Sequence, residues 1–248
     1  MAAFSCGQNV HERELNGKWY SLKYDGHSRM YFYPDSLILT ELYSQKVYWK
    51  ANDSTYEFDF KFEYPYIKDT MERLIFNYRL SETKDTLVCK VPDSNGIRNF
   101  EFIRAENYID YLSKKYGLKL NLPIDLQVEH AKLDSDYGFK IFVKQINDSL
   151  IGLTEFGNSI DFLISDLKDF KQKFKQTDQF RLDKLKNEIH FRVFADRTIS
   201  DEQISDFLQK TNGTKVRKAY RIYTSEEYPN LGYMRGKAIK TIANTVSD

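Results

Sequence analysis

Apolar and polar residues alternate with period two over residues 55–63. Phe58, Phe60 and Phe62 fall on one side of an extended chain, and Glu57, Asp59, Lys61 and Glu63 on the other. This alternation predicts a strand with one buried face and one wet face. Leu74, Phe76, Tyr78 and Leu80 repeat it after Tyr64-Pro65. Shorter segments of the same character lie at 19–24, 30–33, 37–43, 47–50, 86–91 and 99–104. Pro34-Asp35, Asn52-Asp53 and Pro92-Asp93-Ser94-Asn95-Gly96 are among the turns that divide them. Short strands at this close spacing predict an antiparallel meander that closes into a barrel.

The period then changes. Ile109, Leu112 and Tyr116 recur at helical spacing, and Gly117 follows as a stop, so 108–116 is predicted as a helical connector. Residues 140–146 and 150–153 read as strands around the turn Asn147-Asp148-Ser149. Residues 159–174 read as a helix with Ile160, Leu163, Ile164, Leu167 and Phe170 as its apolar stripe and Ser159 or Asn158 as cap. The polar stretch 175–187 is a loop or a helix extension, and 189–194 is a strong strand. Residues 200–211 form a second helix, with Ser200 and Gln203 as a capping box and Gly213 past its end, and 216–223 is the last strand. The order β-β-α-β-α-β predicts a two-layer α/β sandwich with helices on one face of a mixed sheet. The expected organisation is a flexible leader at 1–12, a barrel at 13–105, the connector at 106–117, the sandwich at 118–230 and a mobile or loosely docked tail at 231–248.

Composition sharpens this. The chain of 248 residues holds 18 Tyr and 18 Phe, and aromatics on this scale favour strands. A net charge of +1 supplies no general field for nucleic acid or anionic lipid, and no apolar run is long enough to span a membrane. Cys6 and Cys89 form no CxxC pair, which argues against zinc; a disulfide between them is disfavoured by the polar surroundings of Cys6.

Two resemblances carry expectations. Asn16-Gly17-Lys18-Trp19-Tyr20 resembles the Gly-x-Trp opening of the lipocalin and lipocalin-like families. Glycine permits a sharp turn into the first strand, and tryptophan plugs the closed end. The resemblance implies an arginine from the last strand stacked over Trp19, with Arg104 as the first candidate and Arg98 as the second. It also implies a barrel interior that binds a small apolar molecule, lined by Trp19, Phe58, Phe60, Phe62, Phe76, Tyr78 and Arg104. The competing expectation is that these aromatics fill the interior, because barrels of this size hold either side chains or one small ligand. The second half resembles the periplasmic domain of the ExbD/TolR biopolymer-transport family. The matching stretches are Leu120-Asn121-Leu122-Pro123, the strands at 140–153, Ala195-Asp196 at a strand end, and 216–224. The proton-handling transmembrane helix of that family is replaced here by the barrel, so the resemblance implies self-association or contact with envelope partners rather than motor activity. Phe4-Ser5-Cys6-Gly7 resembles the acylation site of a bacterial lipoprotein, with Cys6 as the lipidation candidate and a cell-envelope location as the consequence.

Catalytic chemistry is not spelled out. His11, His27, His130 and His190 lie in different segments without metal-ligand spacing, and His190 is expected to be exposed. There is no nucleophile elbow, P-loop or dinucleotide fingerprint. Asp25, Glu41, Asp59 and Glu63 read as solvated strand faces unless two converge. Asp196 reads as a cap or surface acid. Lys210, Lys215, Arg217, Lys218 and Arg221 read as a solvated edge, since Asp201, Glu202, Asp206, Glu226 and Glu227 flank them. The expectation is therefore an α+β protein without metal or cofactor. Its barrel binds a small apolar ligand or an envelope protein partner, and its second domain mediates homodimerisation or scaffold contact. A purely structural protein with a filled barrel is the alternative, and a hydrolase or isomerase at the barrel mouth the weaker one.

Overall fold

The computed structural model describes residues 7–23, 29–40, 45–64, 67–93, 96–124, 131–134, 137–172, 179–209, 214, 216–223 and 233–239. Side chains at 45, 62–64, 67–70, 92–93, 131–134, 179–182, 186 and 233–235 lie outside that description. The chain forms two units, 1–118 and 119–248.

In the first unit Asn9 caps a short helix, α1 (Val10–Leu15), through a reciprocal capping box with Glu12. Nine strands follow: β1 (Gly17–Ser21), β2 (Arg29–Tyr33), β3 (Ser36–Leu39), β4 (Gln45–Val47), β5 (Trp49–Ala51), β6 (Thr55–Tyr64), β7 (Ile67–Leu80), β8 (Thr86–Asp93) and β9 (Gly96–Arg104). They make one antiparallel sheet in the order β4-β3-β2-β1-β9-β8-β7-β6-β5. Its outer strands β4 and β5 are separated by Tyr48 alone, so the sheet is a nearly closed barrel. Leu15, Trp19, Phe32, Leu37, Trp49, Tyr56, Phe58 and Leu87 are buried inside it. The positions 10–12, expected to be part of a flexible leader, are helical. Asn9 also donates to the Ala51 carbonyl at 2.8 Å, which ties the helix start to β5.

The helix α2 (Tyr108–Tyr116) belongs to this unit and lies along its wall rather than standing free as a connector. Its Tyr111 stacks on Tyr20 with ring centroids 5.4 Å apart and donates its hydroxyl to the Ser21 carbonyl at 3.1 Å. Tyr20 therefore points out of the barrel while Trp19 and Ser21 point in, as the strand period demands.

The second unit contains β10 (Ala131–Asp134), β11 (Gly138–Ile146), β12 (Ser149–Thr154), a 3-10 turn (Ile160–Phe162), α3 (Leu163–Gln172), α4 (Gln179–Glu188), β13 (His190–Ala195), α5 (Asp201–Leu208), β14 (Lys218–Ile222) and β15 (Tyr233–Ala238). The mixed sheet has the order β10-β15-β14-β13-β11-β12, with β13 parallel to both β11 and β14. Leu163, Leu167 and Phe170 of α3 and Ile204, Phe207 and Leu208 of α5 pack with Phe139, Ile141, Val143, Phe191 and Val193. The expected β-β-α-β-α-β order thus gains a helix and two strands. The stretch 233–238, expected to be tail, is strand β15, and it pairs with β14 and with β10. Ile164, expected in the apolar stripe, is exposed.

His190 is a further correction: it is buried, not exposed. Strand β13 sits between parallel neighbours, and all six of its residues are buried, so the rule of one wet face fails there. Arg192 donates its Nε–H to His190 Nε2 at 3.3 Å, and His190 Nδ1 lies 2.8 Å from the Glu188 carbonyl. The ring therefore accepts at Nε2, donates at Nδ1 and is neutral. Gly138 of β11 leaves space for the Arg192 side chain, since a Cβ there would lie 2.1 Å from Arg192 Nε.

Of the basic stretch, Arg221 is buried and donates to Asp201 at 2.7 Å and to the Asp196 carbonyl at 2.9 Å. Lys218 donates to the Asn187 carbonyl. Lys210 and Lys215 lie outside the described residues. Partial burial raises the Asp201 pKa, but hydrogen bonds from Arg221 and Lys237 outweigh it and hold the carboxylate below its ordinary value. A lowered carboxylate contributes stability above its unfolded pKa and loses that contribution as pH falls through the folded one. Asp201→Asn is expected to cost about 1–3 kcal/mol at pH 7. The difference from the parent should shrink below the ordinary aspartate value of 3.8. Both tryptophans lie in the first unit, so hydrogen exchange in β13 and β14 is the measurement that follows this one.

Candidate functional site

The sequence-predicted site residues separate into a floor and an interior. At the floor, β1 pairs with β9 so that Trp19 faces Arg104. The Arg104 guanidinium lies 4.5 Å from the Trp19 ring centroid, and it donates to the Glu14 carbonyl. Trp19 is fully buried and donates its indole N–H to the Leu15 carbonyl at 2.8 Å. The last carbonyls of α1, unpaired within so short a helix, thus receive the donors of the floor. Gly17 is required by the backbone and not by space: its φ of +133° is open to glycine and strained for other residues, whereas a Cβ there would meet Arg104 only at an ordinary 3.8 Å. Arg98, the second candidate for the stacking role, sits exposed at the other end of β9.

Above the floor the interior is aromatic. Tyr56, which the sequence reading passed over, is its centre. Its ring lies 5.5 Å from Phe32, 6.2 Å from Phe58, 5.3 Å from Phe76 and 6.1 Å from Tyr78, centroid to centroid. Phe58 also stacks on Phe76 at 5.7 Å and meets Phe60 edge-on at 6.5 Å, and Phe32 meets Trp49 at 4.7 Å. These separations are those of rings in direct contact. The Phe62 side chain and Cys6 lie outside the described residues. Phe32 and Trp49 went unnamed because they sit in strands too short to show alternation.

The Tyr56 hydroxyl lies 3.5 Å from Met30 Sδ and 3.6 Å from Cys89 Sγ, its polar neighbours in an apolar interior. Burial, and then the neighbouring thiol, pushes the phenol well above its usual range. Burial raises the Cys89 thiol to about 12, against a smaller opposing effect of the Tyr56 hydrogen bond. Cys89 is a free cysteine, and a thiol this far from thiolate is a poor nucleophile.

A different feature lies on the outer wall. β7 pairs with β6 from Ile67 to Asn77, but with β8 at only four positions, Asn77 to Leu80. β8 meanwhile stays paired to β9 out to Asp93. The two hairpins therefore diverge above Asn77 and Lys90. On the paired side of this fork the outer surface carries a groove of about 620 Å³, lined by Asn77, Arg79, Val88, Lys90, Ile97 and Asn99 among others. The only local sign in the sequence is Pro92, which has no N–H to give a ladder.

Asp59 is bound by Arg73 at 3.1 Å, and Glu57 is 4.0 Å from the same guanidinium. Asp25 and Glu41, and the side chain of Glu63, lie outside the described residues, as do His27 and His130. In the second unit Asp196 accepts from Thr198 N–H and Oγ1–H and from Asn121 N–H, the geometry of a turn cap. Among the described residues no three His, Cys, Asp or Glu side chains converge as metal ligands, and no helix is long and apolar enough to cross a membrane.

No protein-family model, curated protein or solved structure matches the chain.

Arg104→Met is expected to cost about 1–3 kcal/mol, from one charged hydrogen bond and a desolvated cation–π contact. Arg104→Lys should not restore it, because the ammonium lacks the planar fork. Urea unfolding followed by tryptophan emission reads this directly, as both tryptophans belong to the barrel. In a Cys6→Ser background, Cys89 should stay unreactive to an aromatic disulfide reagent at pH 8 until urea unfolds the barrel. Rapid labelling of the native chain would contradict the packing described.

Proposed function

We propose that this chain is a non-catalytic binding protein whose barrel is a filled scaffold that engages a protein partner, rather than a carrier that encloses a small molecule. The observation that carries this reading is the ring-to-ring contact around Tyr56. The side chains offered by the lipocalin resemblance as a ligand pocket are spent on one another. The lipocalin-like reading draws further support from the Trp19–Arg104 stack over the closed end, the α1 plug beneath it and the α2 helix along the wall.

The wider assignment rests on the resemblances. The ExbD/TolR likeness of the second unit, with its parallel β11–β13–β14 centre and its capped Ala195-Asp196 step, supports a role in self-association or scaffold contact. Together with the lipoprotein-like Cys6 it supports a place in the bacterial cell envelope, with a lipid anchor as the means of attachment.

A second reading has one specific observation in its favour. Leu74, Phe76 and Phe100 on the inner wall are only partly buried, so a small apolar ligand has a surface to meet above the packed centre. Native mass spectrometry of the chain purified without refolding, compared with the same sample denatured, decides between the two. A bare chain or a protein complex is expected. A small molecule that is lost on denaturation would overturn the scaffold reading and establish a carrier.

A further inference from the structure

Among the described strands the two sheets have four outer members, and three of them carry charge. β4 holds Lys46, β5 holds Lys50, and β10 holds Lys132 and Asp134. Charges on an outer strand oppose the docking of a further strand, because pairing would bury them. β12 is the exception. Its sequence, Ser149-Leu150-Ile151-Gly152-Leu153-Thr154, contains no charge and no proline. On one side β11 pairs with it along its whole length. On the other, Ser159 bridges to Leu153, and the Asn158 carbonyl accepts from the Thr154 N–H, so the end of the strand is covered. Ser149–Gly152 have no such cover among the described residues. Alternate residues of that stretch turn their N–H and C=O away from β11, as a further strand requires.

Apolar side chains stand on both faces beside this edge. Leu150 and Gly152 face the helices, Leu150 against the core and Gly152 toward Phe207. Ile151 and, across the hairpin, Ile146 therefore lie on the opposite face, 38% and 46% exposed. On the helix side Phe156 follows the strand and meets the core residue Phe139, yet is 40% exposed. Phe162 ends the 3-10 turn that packs beside β12, and Ile164 lies in the first turn of α3; they are 60% and 63% exposed. At about 150–200 Å² for a whole side chain, these five expose roughly 400 Å² of apolar surface. A stable interface takes about 800 Å² from each partner, a little over half of it apolar. The patch thus matches what one side of a dimer needs.

We propose that β12 is the self-association edge of the second unit: it pairs antiparallel with β12 of a second copy about a two-fold axis, and the two sheets become one. The site rests on the reading of the second unit as a self-association domain and gives that reading a surface. A second copy is the occupant because the strand is neutral along its length and selects neither an acidic nor a basic segment. A two-fold axis also sets each apolar face against its own like. When the helices of both copies lie on one face, residues opposite each other must face the same way. Either Leu150 or Ile151 then stands opposite its own counterpart. In both registers Ile151 meets Ile151 of the second copy, directly or on the diagonal.

The test is sedimentation equilibrium of the full chain over a concentration series, in reducing buffer so that no pair is linked through Cys6. A dimer is expected, with hydrogen exchange in residues 149–152 slowing as concentration rises. Ile151→Lys and Ile151→Glu each set two like charges together at the axis and should weaken the dimer about a hundredfold or more. Unchanged hydrogen exchange in β13 and β14 shows that each variant keeps the fold of the second unit. Mixed in equal amounts, the two variants should associate again, because Lys and Glu then meet across the axis. A dimer that survives Ile151→Lys overturns the β12 edge and leaves self-association to another surface. Variants that stay apart when mixed overturn the two-fold pairing. A monomer at every concentration overturns the edge and the self-association reading together.

Discussion

The first unit depends on the register between β1 and β9. The first and last strands of the meander meet, with Trp19 opposite Arg104 and Ser21 opposite Phe102, so the outer strands of the sheet are β4 and β5 instead. That register decides which face of every other strand is inside. A slip by one residue would turn Trp19 to solvent and put Tyr20 into the core, away from the Tyr111 ring that covers it. What prevents the slip is local and polar. Helix α1 ends with free carbonyls at Glu14 and Leu15, and the Arg104 guanidinium and the Trp19 indole donate to them. A cation over a ring and two charged or buried donors into one helix end need both strands in the same alignment.

The second unit solves a different problem. Its central strand β13 is covered on both faces, yet it carries His190 and Arg192. Buried polar groups of this kind are tolerable only when they are bonded. The neutral imidazole bridges the Glu188 carbonyl and Arg192, and the guanidinium occupies the volume that the missing side chain of Gly138 leaves. At the neighbouring strand Arg221 ties the start of α5 to the end of β13 through Asp201 and the Asp196 carbonyl. Polar contacts thus set the spacing of the sheet and its helices, and the apolar cluster fills in between.

Much of this was legible wherever a strand was long and had one wet face. Phe58, Phe60, Phe76 and Tyr78 announce their side of the wall, and Ser200 with Gln203 announces α5. The Gly17–Trp19 spacing pointed to a floor, and Arg104 was the right partner for it. The failures have physical causes. Tyr56 begins its strand beside the Asn52-Asp53 turn, and Phe32 and Trp49 occupy strands of five and three residues, where two positions make no period. His190 was misjudged because parallel neighbours abolish the wet face. β10 and β15 stabilise each other from distant parts of the chain, and Gly236 makes β15 look like loop. Helix α1 carries a readable Asn9…Glu12 box inside an otherwise polar leader.

The fork was the least legible feature, because it is a property of where a ladder stops rather than of any residue. β7 is 14 residues long and β8 only 8, so the two cannot stay paired throughout, and Pro92 marks where β8 gives up its donors. A barrel with a hollow centre can tolerate such a gap as a mouth. Here the centre is packed with rings in contact, which makes the wall below Asn77 stiff and leaves the strand edges above it held in place but unpaired.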